Sequence, residues 1–179
     1  MGPGGEYRRG VNFTVDMKVG LERLPGIEES HETAYAVRAL SCDGKSPALD
    51  ALGDWLRRQP RDHKQIMAGL RYVAGTWQPW ENLGRVRPNG VPEPAHGKGA
   101  PQEHRIYEVK APKEHARILF YLAPGPPETV VLLCGFWKKR DRDPEQRRAF
   151  ERARTLRNFA FDAVNALLRN SRSARGRKG

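Results

Sequence analysis

Side chains that could hold a phosphate are concentrated in the second half of this 179-residue chain. An apolar run from Val130 to Trp137 leads directly into a cluster of cations: Lys138, Lys139, Arg140, Arg142, Arg147 and Arg148. Residues 138–179 carry 14 Lys and Arg against 5 Asp and Glu, a net charge of +9 out of +11 for the whole chain. A buried strand that ends in cations holds positive charge rigidly over a polyanion, so this distribution favours a phosphate-rich partner.

One of these cations, Lys138, could converge on a phosphate together with two cations of the preceding strands, Lys110 and Arg117. Alternation along two predicted strands places Glu108 and Lys110 on one face of the first strand and Arg117 on one face of the second. If Lys110, Arg117 and Lys138 face one cleft, they form a cationic floor suited to a scissile phosphate. Arg117 is the first candidate because its planar guanidinium matches phosphate oxygens. An ion pair between Arg117 and Glu108 is an equally weighted alternative, and Lys110 is also explained as a solvated strand end.

The elements that must position these residues form an α+β pattern. A first strand over 34–40 is followed by two amphipathic helices, with Ser46 and Pro47 opening the first and Asp62 expected to cap the second. Three strands over 106–110, 116–122 and 130–137 have short connections and predict an antiparallel meander. A basic helix begins at Pro144, with an apolar stripe of Ala149, Ala153, Leu156, Ala160, Val164 and Leu167 and with Arg157 among its other faces.

The remaining segments divide the chain into three parts. Residues 1–33 are expected to be an N-terminal extension with a short strand over 11–19, and residues 34–168 the domain itself. Residues 169–179 are expected to be a disordered basic tail. Residues 76–104 are rich in Pro and Gly and predict a long loop.

Composition excludes several classes of protein. Cys42 and Cys134 are too few for a disulfide framework, and Cys134 is expected to be a buried thiol. No stretch is apolar enough to span a membrane, and no zinc spacing, P-loop or other cofactor motif is found. We therefore expect a cytoplasmic protein without metal or cofactor.

Four features of the chain resemble the RelE/ParE toxin superfamily, closest to its HigB-like, phage-derived branch. These are a helical hairpin after a first strand, Tyr107-Glu-Val-Lys110, Arg117-Ile-Leu-Phe-Tyr121, and Leu132-Leu-Cys-Gly-Phe-Trp-Lys-Lys139 followed by Pro144. The last motif is fairly specific and the hairpin is not. The resemblance covers about residues 34–161 and implies a RelE-like fold, in which the hairpin packs on the meander.

The resemblance implies a toxin of a type II toxin–antitoxin pair. Many such toxins are ribosome-associated, metal-independent endoribonucleases that cleave mRNA, and others, of the ParE type, poison DNA gyrase. The resemblance does not choose between these activities, and the net charge of +9 over residues 138–179 favours the cleavage of mRNA. A cognate antitoxin of helix-turn-helix type is the expected partner. The catalytic candidates are then Arg117, Lys110 and His104, and the RNA-binding candidates are Lys138, Lys139, Arg140, Arg142, Arg147 and Arg148. Two alternatives stay open: a ParE-like gyrase poison, and a non-catalytic module that binds RNA or the ribosome.

The acid and base for RNA cleavage are not assigned by the sequence. The reaction requires proton transfer from the attacking 2′-OH and to the leaving oxygen. His104 precedes the first meander strand and His115 lies beside Arg117, although a lone loop histidine is more often a solvated polar residue. HigB-like proteins often place Asp, Tyr or His near the C-terminus, where this chain has Asp162 and no Tyr or His.

Overall fold

The strands and helices assemble into a six-stranded mixed sheet with helices on both faces. A computed structural model describes residues 16–29, 33–76, 93–96, 105–111, 115–125, 128–141 and 143–176. The strands are β1 (Val19–Arg23), β2 (Ala36–Cys42), β3 (Glu93–His96), β4 (Ile106–Lys110), β5 (Ala116–Ala123) and β6 (Thr129–Trp137). The helices are α1 (Pro47–Arg58), α2 (Pro60–Gly75) and α3 (Pro144–Gly176).

The sheet has the order β1-β2-β6-β5-β4-β3. Strands β4, β5 and β6 pair antiparallel, which confirms the predicted meander. Strand β2, predicted over 34–40, pairs parallel with β6, and it is separated from the meander in sequence by α1 and α2. The α+β class is confirmed, with helices and strands segregated along the chain.

The helical hairpin packs on one face of the sheet, as predicted. Ser46 caps α1, since its side chain accepts a hydrogen bond from the backbone N–H of Leu49, and Pro47 occupies the first turn. At Gly135, in the middle of β6, an added Cβ would lie 2.7 Å from the Ala51 Cβ and equally close to the Trp55 ring. The glycine of the Leu132–Lys139 motif therefore has a packing role, because it lets α1 approach the sheet closely.

Helix α3 covers the opposite face. Its stripe residues Ala149, Ala153, Leu156, Ala160 and Val164 are buried against strands of the meander and β2, while Leu167 is 36% exposed. The helix begins at Pro144, as predicted, and continues through Gly176, where we expected a disordered tail. The Ser171 and Ser173 hydroxyls donate to the carbonyls of Leu167 and Arg169, so each serine is satisfied within the helix.

Three local predictions differ from the structure. The N-terminal strand is β1, which pairs with β2 at the edge of the sheet; residues 11–15 of the predicted strand lie outside the described residues. The long loop over 76–104 contains β3, whose backbone pairs with β4. Asp62 does not cap α2, because α2 already begins at Pro60 after Gln59. Its carboxylate is buried and binds strand β5 instead.

Candidate functional site

Arg117, the first catalytic candidate, forms an ion pair with Glu108. The Arg117 Nε lies 3.3 Å from Oε1 of Glu108, and the two side chains are only 13% and 5% exposed. The guanidinium also donates to the carbonyl oxygens of Ala116, at 2.8 Å, and Ala111, at 3.4 Å. The structure confirms the alternative that the sequence left open. The charge of Arg117 is directed toward groups of the protein, so a phosphate bound there must compete with Glu108.

Lys110 lies directly opposite Arg117 in the β4–β5 register and is half-buried. Lys138 follows β6, and its backbone N–H donates to the carbonyl of His115, just before Arg117 on β5. Its ammonium lies 3.4 Å from Asp141, whose side chain is fully exposed. The pairing thus places Lys110, Arg117 and Lys138 along the same end of adjacent strands. His104 lies outside the described residues.

The side chain of His115 is held at this end of the sheet by two contacts. Its Nδ1 lies 2.7 Å from the carbonyl oxygen of Lys138. Its ring packs beside Trp137, with the ring centroids 5.2 Å apart. Because a carbonyl oxygen only accepts, Nδ1 must carry the proton, which leaves Nε2 of the neutral imidazole as an acceptor. An exposed histidine with a fixed tautomer is chemically able to accept a proton from a substrate.

Asp62 fixes the backbone from which His115 projects. Its Oδ2 accepts hydrogen bonds from the backbone N–H of His115, at 2.9 Å, and of Ala116, at 2.7 Å. The carboxylate is only 2% exposed, so it connects the first turn of α2 to the start of β5. Sequence reasoning missed this role, and the only signal was an acidic residue at the start of α2, which is also typical of a cap.

The basic junction consists of Lys138, Lys139, Arg140, Arg147 and Arg148, between β6 and the first turns of α3. Arg147 and Arg148 are 86% and 71% exposed and lie near Glu151 and Glu145, at 3.1 Å and 3.6 Å. Exposed pairs of this kind hold a cation weakly, so both guanidinium groups are available to a polyanion. Arg142 lies outside the described residues.

Asp143 organises the backbone of the basic junction. Its carboxylate accepts hydrogen bonds from the backbone N–H of Glu145, at 3.0 Å, and of Lys139, at 2.8 Å. These backbone hydrogen bonds, first from Glu145 and then from Lys139, lower the pKa of Asp143. Because Asp143 precedes Pro144, it caps α3 and at the same time ties the cationic loop to the start of the helix.

Arg157 differs from the other arginines whose side chains are described on α3, because it is buried at 7% exposure. Its guanidinium lies 5.7 Å from the centroid of the Phe161 ring. Burial lowers the pKa of Arg157 and raises the pKa of the nearby Tyr121 phenol. The sequence placed Arg157 outside the apolar stripe of α3, and the structure nevertheless buries it next to Phe161 and Tyr121.

Cys134 is a buried thiol, as predicted. Its sulfur lies 3.6 Å from the carbonyl oxygen of Ala149, and burial raises its pKa to about 12. The thiolate is the nucleophilic form of cysteine, so Cys134 is unsuited to nucleophilic catalysis at neutral pH.

Within the described residues, no group of three or more His, Cys, Asp and Glu side chains could hold a metal ion, and no helix combines the length and apolarity that a membrane span requires. No family model, curated protein or solved structure matches the chain. The resemblance to RelE/HigB toxins therefore stays a prediction carried by the sequence motifs.

Proposed function

We propose that the chain binds RNA on the ribosome through the basic junction, as a toxin of the RelE/HigB type would. The observation that carries this proposal is the exposure of Arg140, Arg147 and Arg148 in the basic junction. Arg147 and Arg148 form ion pairs with nearby acidic residues of the same helix, and those exposed pairs exchange easily for phosphate contacts. The net charge of +9 over residues 138–179 adds a long-range attraction to RNA.

In the catalytic form of the proposal, the end of the sheet beside the basic junction cleaves mRNA. His115 Nε2 accepts the proton of the attacking 2′-OH, because its Nδ1 is committed to the Lys138 carbonyl. Lys110 and Arg117 stabilise the charge that develops on the phosphate oxygens. His104 remains a second candidate for proton transfer. A cognate antitoxin would neutralise the protein by covering the basic junction with acidic groups.

A second candidate function is a non-catalytic module that binds RNA or the ribosome. The observation that favours it is the ion pair between Arg117 and Glu108, since the guanidinium of Arg117 is directed toward this carboxylate and toward two backbone carbonyl oxygens. In this form the cations contribute affinity, and the Arg117 pair contributes only to the fold. A ParE-like gyrase poison has no observation of this structure in its favour.

Binding is tested by fluorescence anisotropy of a labelled single-stranded RNA at several salt concentrations. The variant Lys139→Ala/Arg140→Ala removes two charges from the basic junction. Arg57→Ala/Arg58→Ala removes two from the end of α1, where both side chains are at least 73% exposed. We expect the junction variant to bind more weakly and its salt slope to fall by about 1.4, or about 0.7 per lost phosphate contact. Equal affinity in the two variants would reject the basic junction as the interface.

Cleavage is tested by induced expression in a bacterium with primer-extension mapping of transcripts. Wild type is compared with His115→Ala and with Arg117→Met/Glu108→Gln, which removes both members of the buried pair together. Cuts within translated mRNAs that are lost in both variants support the nuclease. Arrest of growth without cuts supports the binding module, while loss of DNA supercoiling points to gyrase.

A further inference from the structure

A second concentration of cations lines a cleft at the other end of α3. The cleft lies between β1, β2 and the last turns of α3 and has a volume of about 860 Å³. We call it the arginine cleft, after its charged lining of Arg23, Arg38 and Arg172, joined by Lys18. From Pro144 to Arg172 the helix rises about 42 Å, so this cleft is remote from the basic junction.

The charges of the cleft are poorly balanced. Arg23 and Arg38 are direct cross-strand partners in the β1–β2 register, a position where like charges repel. Among the described residues that line the cleft, Glu29 is the one carboxylate, and it pairs with Arg38. Neither Arg23 nor Lys18 forms an ion pair within the described part of the chain. Counted over the described residues, four cations and one carboxylate therefore line the same space.

Arg172 reaches the cleft from α3. Its guanidinium donates to the carbonyl of Pro124, at 3.3 Å, and packs on Gly125, where a side chain would collide with it. One hydrogen bond of this kind uses a single donor of the five that a guanidinium carries, so the others can contact a ligand. Three arginines from β1, β2 and α3 thus approach one volume from different directions.

Apolar side chains form part of the lining of the cleft. We call these residues its floor: Val19, Leu21, Ala36, Leu167 and Leu168. Leu167 and Leu56, the latter on α1, are the exposed large hydrophobic residues of the described part of the chain. A lining that combines apolar side chains with cations suits a ligand with a flat, weakly polar body and an anionic group, and the volume lies within the usual range for small-molecule sites.

We propose that the arginine cleft binds a nucleoside phosphate, with the phosphate between Arg23, Arg38 and Arg172 and the base over Leu167. Planar guanidinium groups match phosphate oxygens through paired hydrogen bonds. The negative charge of the ligand relieves the repulsion between Arg23 and Arg38, and the base covers the apolar floor. A free mononucleotide and the 5′-phosphorylated end of an RNA present the same chemistry to the cleft.

Titration calorimetry with adenosine 5′-monophosphate tests the proposal on the full chain. We expect saturable binding that weakens about tenfold or more in Arg23→Ala and in Arg172→Ala, as loss of a charge-assisted hydrogen bond predicts. Arg38 is left in place because its loss would leave Glu29 without this cation. Arg61→Ala, an exposed arginine of α2 outside the cleft, is the matched control and should bind as wild type does.

Two further probes separate the parts of the ligand. Leu167→Ala should weaken binding of the mononucleotide and leave binding of inorganic phosphate unchanged, because only the base lies on the floor. A short RNA with a 5′-phosphate is compared with the same RNA carrying a 5′-hydroxyl. Preference for the 5′-phosphate identifies the RNA end as the ligand, and equal binding of both RNAs together with tight mononucleotide binding identifies the free nucleotide.

The proposal is overturned if no nucleotide binds saturably, or if Arg23→Ala and Arg61→Ala bind with equal affinity. The experiments distinguish a failure of this proposal from a failure of the proposed RNA-binding function. The cleft variants should bind 5′-hydroxyl RNA at the basic junction as wild type does, whereas the Lys139→Ala/Arg140→Ala variant should keep the mononucleotide affinity of the cleft.

Discussion

Two pairs of neighbouring strands carry arginines in opposite electrostatic settings. Across β4 and β5, Arg117 lies beside Glu108, and the two side chains are only 13% and 5% exposed. Across β1 and β2, Arg23 lies opposite Arg38, and both line an open cleft in which Arg38 also pairs with Glu29. In the first arrangement one cation faces one carboxylate, whereas in the second two cations share one carboxylate of the described residues, so the second gains stability when an anion arrives. An arginine at a strand end therefore indicates a ligand only when the residue paired with it is known.

The basic junction is intermediate between these two settings. Its arginines have acidic neighbours three or four residues away on α3, as the exposed pairs of Arg147 and Arg148 show. Such pairs contribute a few tenths of a kcal/mol at most and are screened by salt. A polyanion displaces them at little cost, so the junction can bind RNA without being built around a single ligand.

The largest loss of stability is expected when one member of the Arg117–Glu108 ion pair is removed. Glu108→Ala leaves the guanidinium of Arg117 buried without this carboxylate, which should lower the free energy of unfolding by about 3–5 kcal/mol. Urea denaturation measures the change. The double variant Glu108→Gln/Arg117→Met should recover most of the loss, because it removes both charges. A loss below about 1 kcal/mol in Glu108→Ala would mean that the pair is not structural, and Arg117 would regain its place as a free phosphate ligand.

A smaller loss of stability is expected when the hydrogen bonds between Asp62 of α2 and the start of β5 are removed. Asp62→Ala leaves the backbone N–H groups of His115 and Ala116 without their acceptor, and should cost about 1–3 kcal/mol. The same change should loosen His115 and reduce any cleavage of RNA more than it reduces RNA affinity. Asp54→Ala, at a half-exposed position of α1, is the control and should change stability by less than about 0.5 kcal/mol. Equal losses in the two variants would show that Asp62 does not support the strand.

The sequence predicted the features that depend on neighbouring residues and missed those that depend on tertiary contacts. The Ser46 cap, the Pro144 helix start and the β4–β6 meander follow from short-range patterns, so they were predicted close to their observed bounds. The cluster of Lys138 to Arg148 is also contiguous in sequence. The role of Asp62, by contrast, depends on a contact between α2 and β5, and its position alone is typical of a helix cap.

The arginine cleft could not be predicted, because its members are distant in the chain. Arg23 lies in a segment that the sequence assigned to an extension, and Arg172 lies in a segment assigned to a disordered tail. Only the pairing of β1 with β2 and the continuation of α3 to Gly176 bring them together. The burial of Arg157 was missed for a related reason, since helix periodicity does not reveal that Phe161 and Tyr121 shield a residue beside the apolar stripe.

A gain in stability, rather than a loss, is expected when the cross-strand pair of Arg23 and Arg38 is changed. Arg23→Glu converts a cross-strand repulsion into an attraction with Arg38, and should raise the free energy of unfolding by about 0.2–1 kcal/mol. It should also abolish binding of adenosine 5′-monophosphate, because the carboxylate repels the phosphate. Urea denaturation and calorimetry measure the two effects on one sample. A variant that loses both stability and binding would show that the arginines of the cleft are structural, like Arg117.

The smallest effect on stability is expected at Asp143, whose partly exposed carboxylate ties the basic junction to α3. Hydrogen bonds from Glu145 and Lys139 lower its pKa below the ordinary value of 3.8, so the folded protein favours the ionised form. The carboxylate therefore contributes stability above about pH 4 and loses it as the pH falls through the lowered pKa. The unfolding temperatures of wild type and Asp143→Ala should differ at pH 6 and converge near pH 2.

Asp141→Ala is the control, because Asp141 is fully exposed and its ion pair with Lys138 is of the weak, solvated kind. A difference that persists at pH 2 would assign the effect to the helix propensity of alanine, and the junction would then be held by Pro144 and the backbone alone.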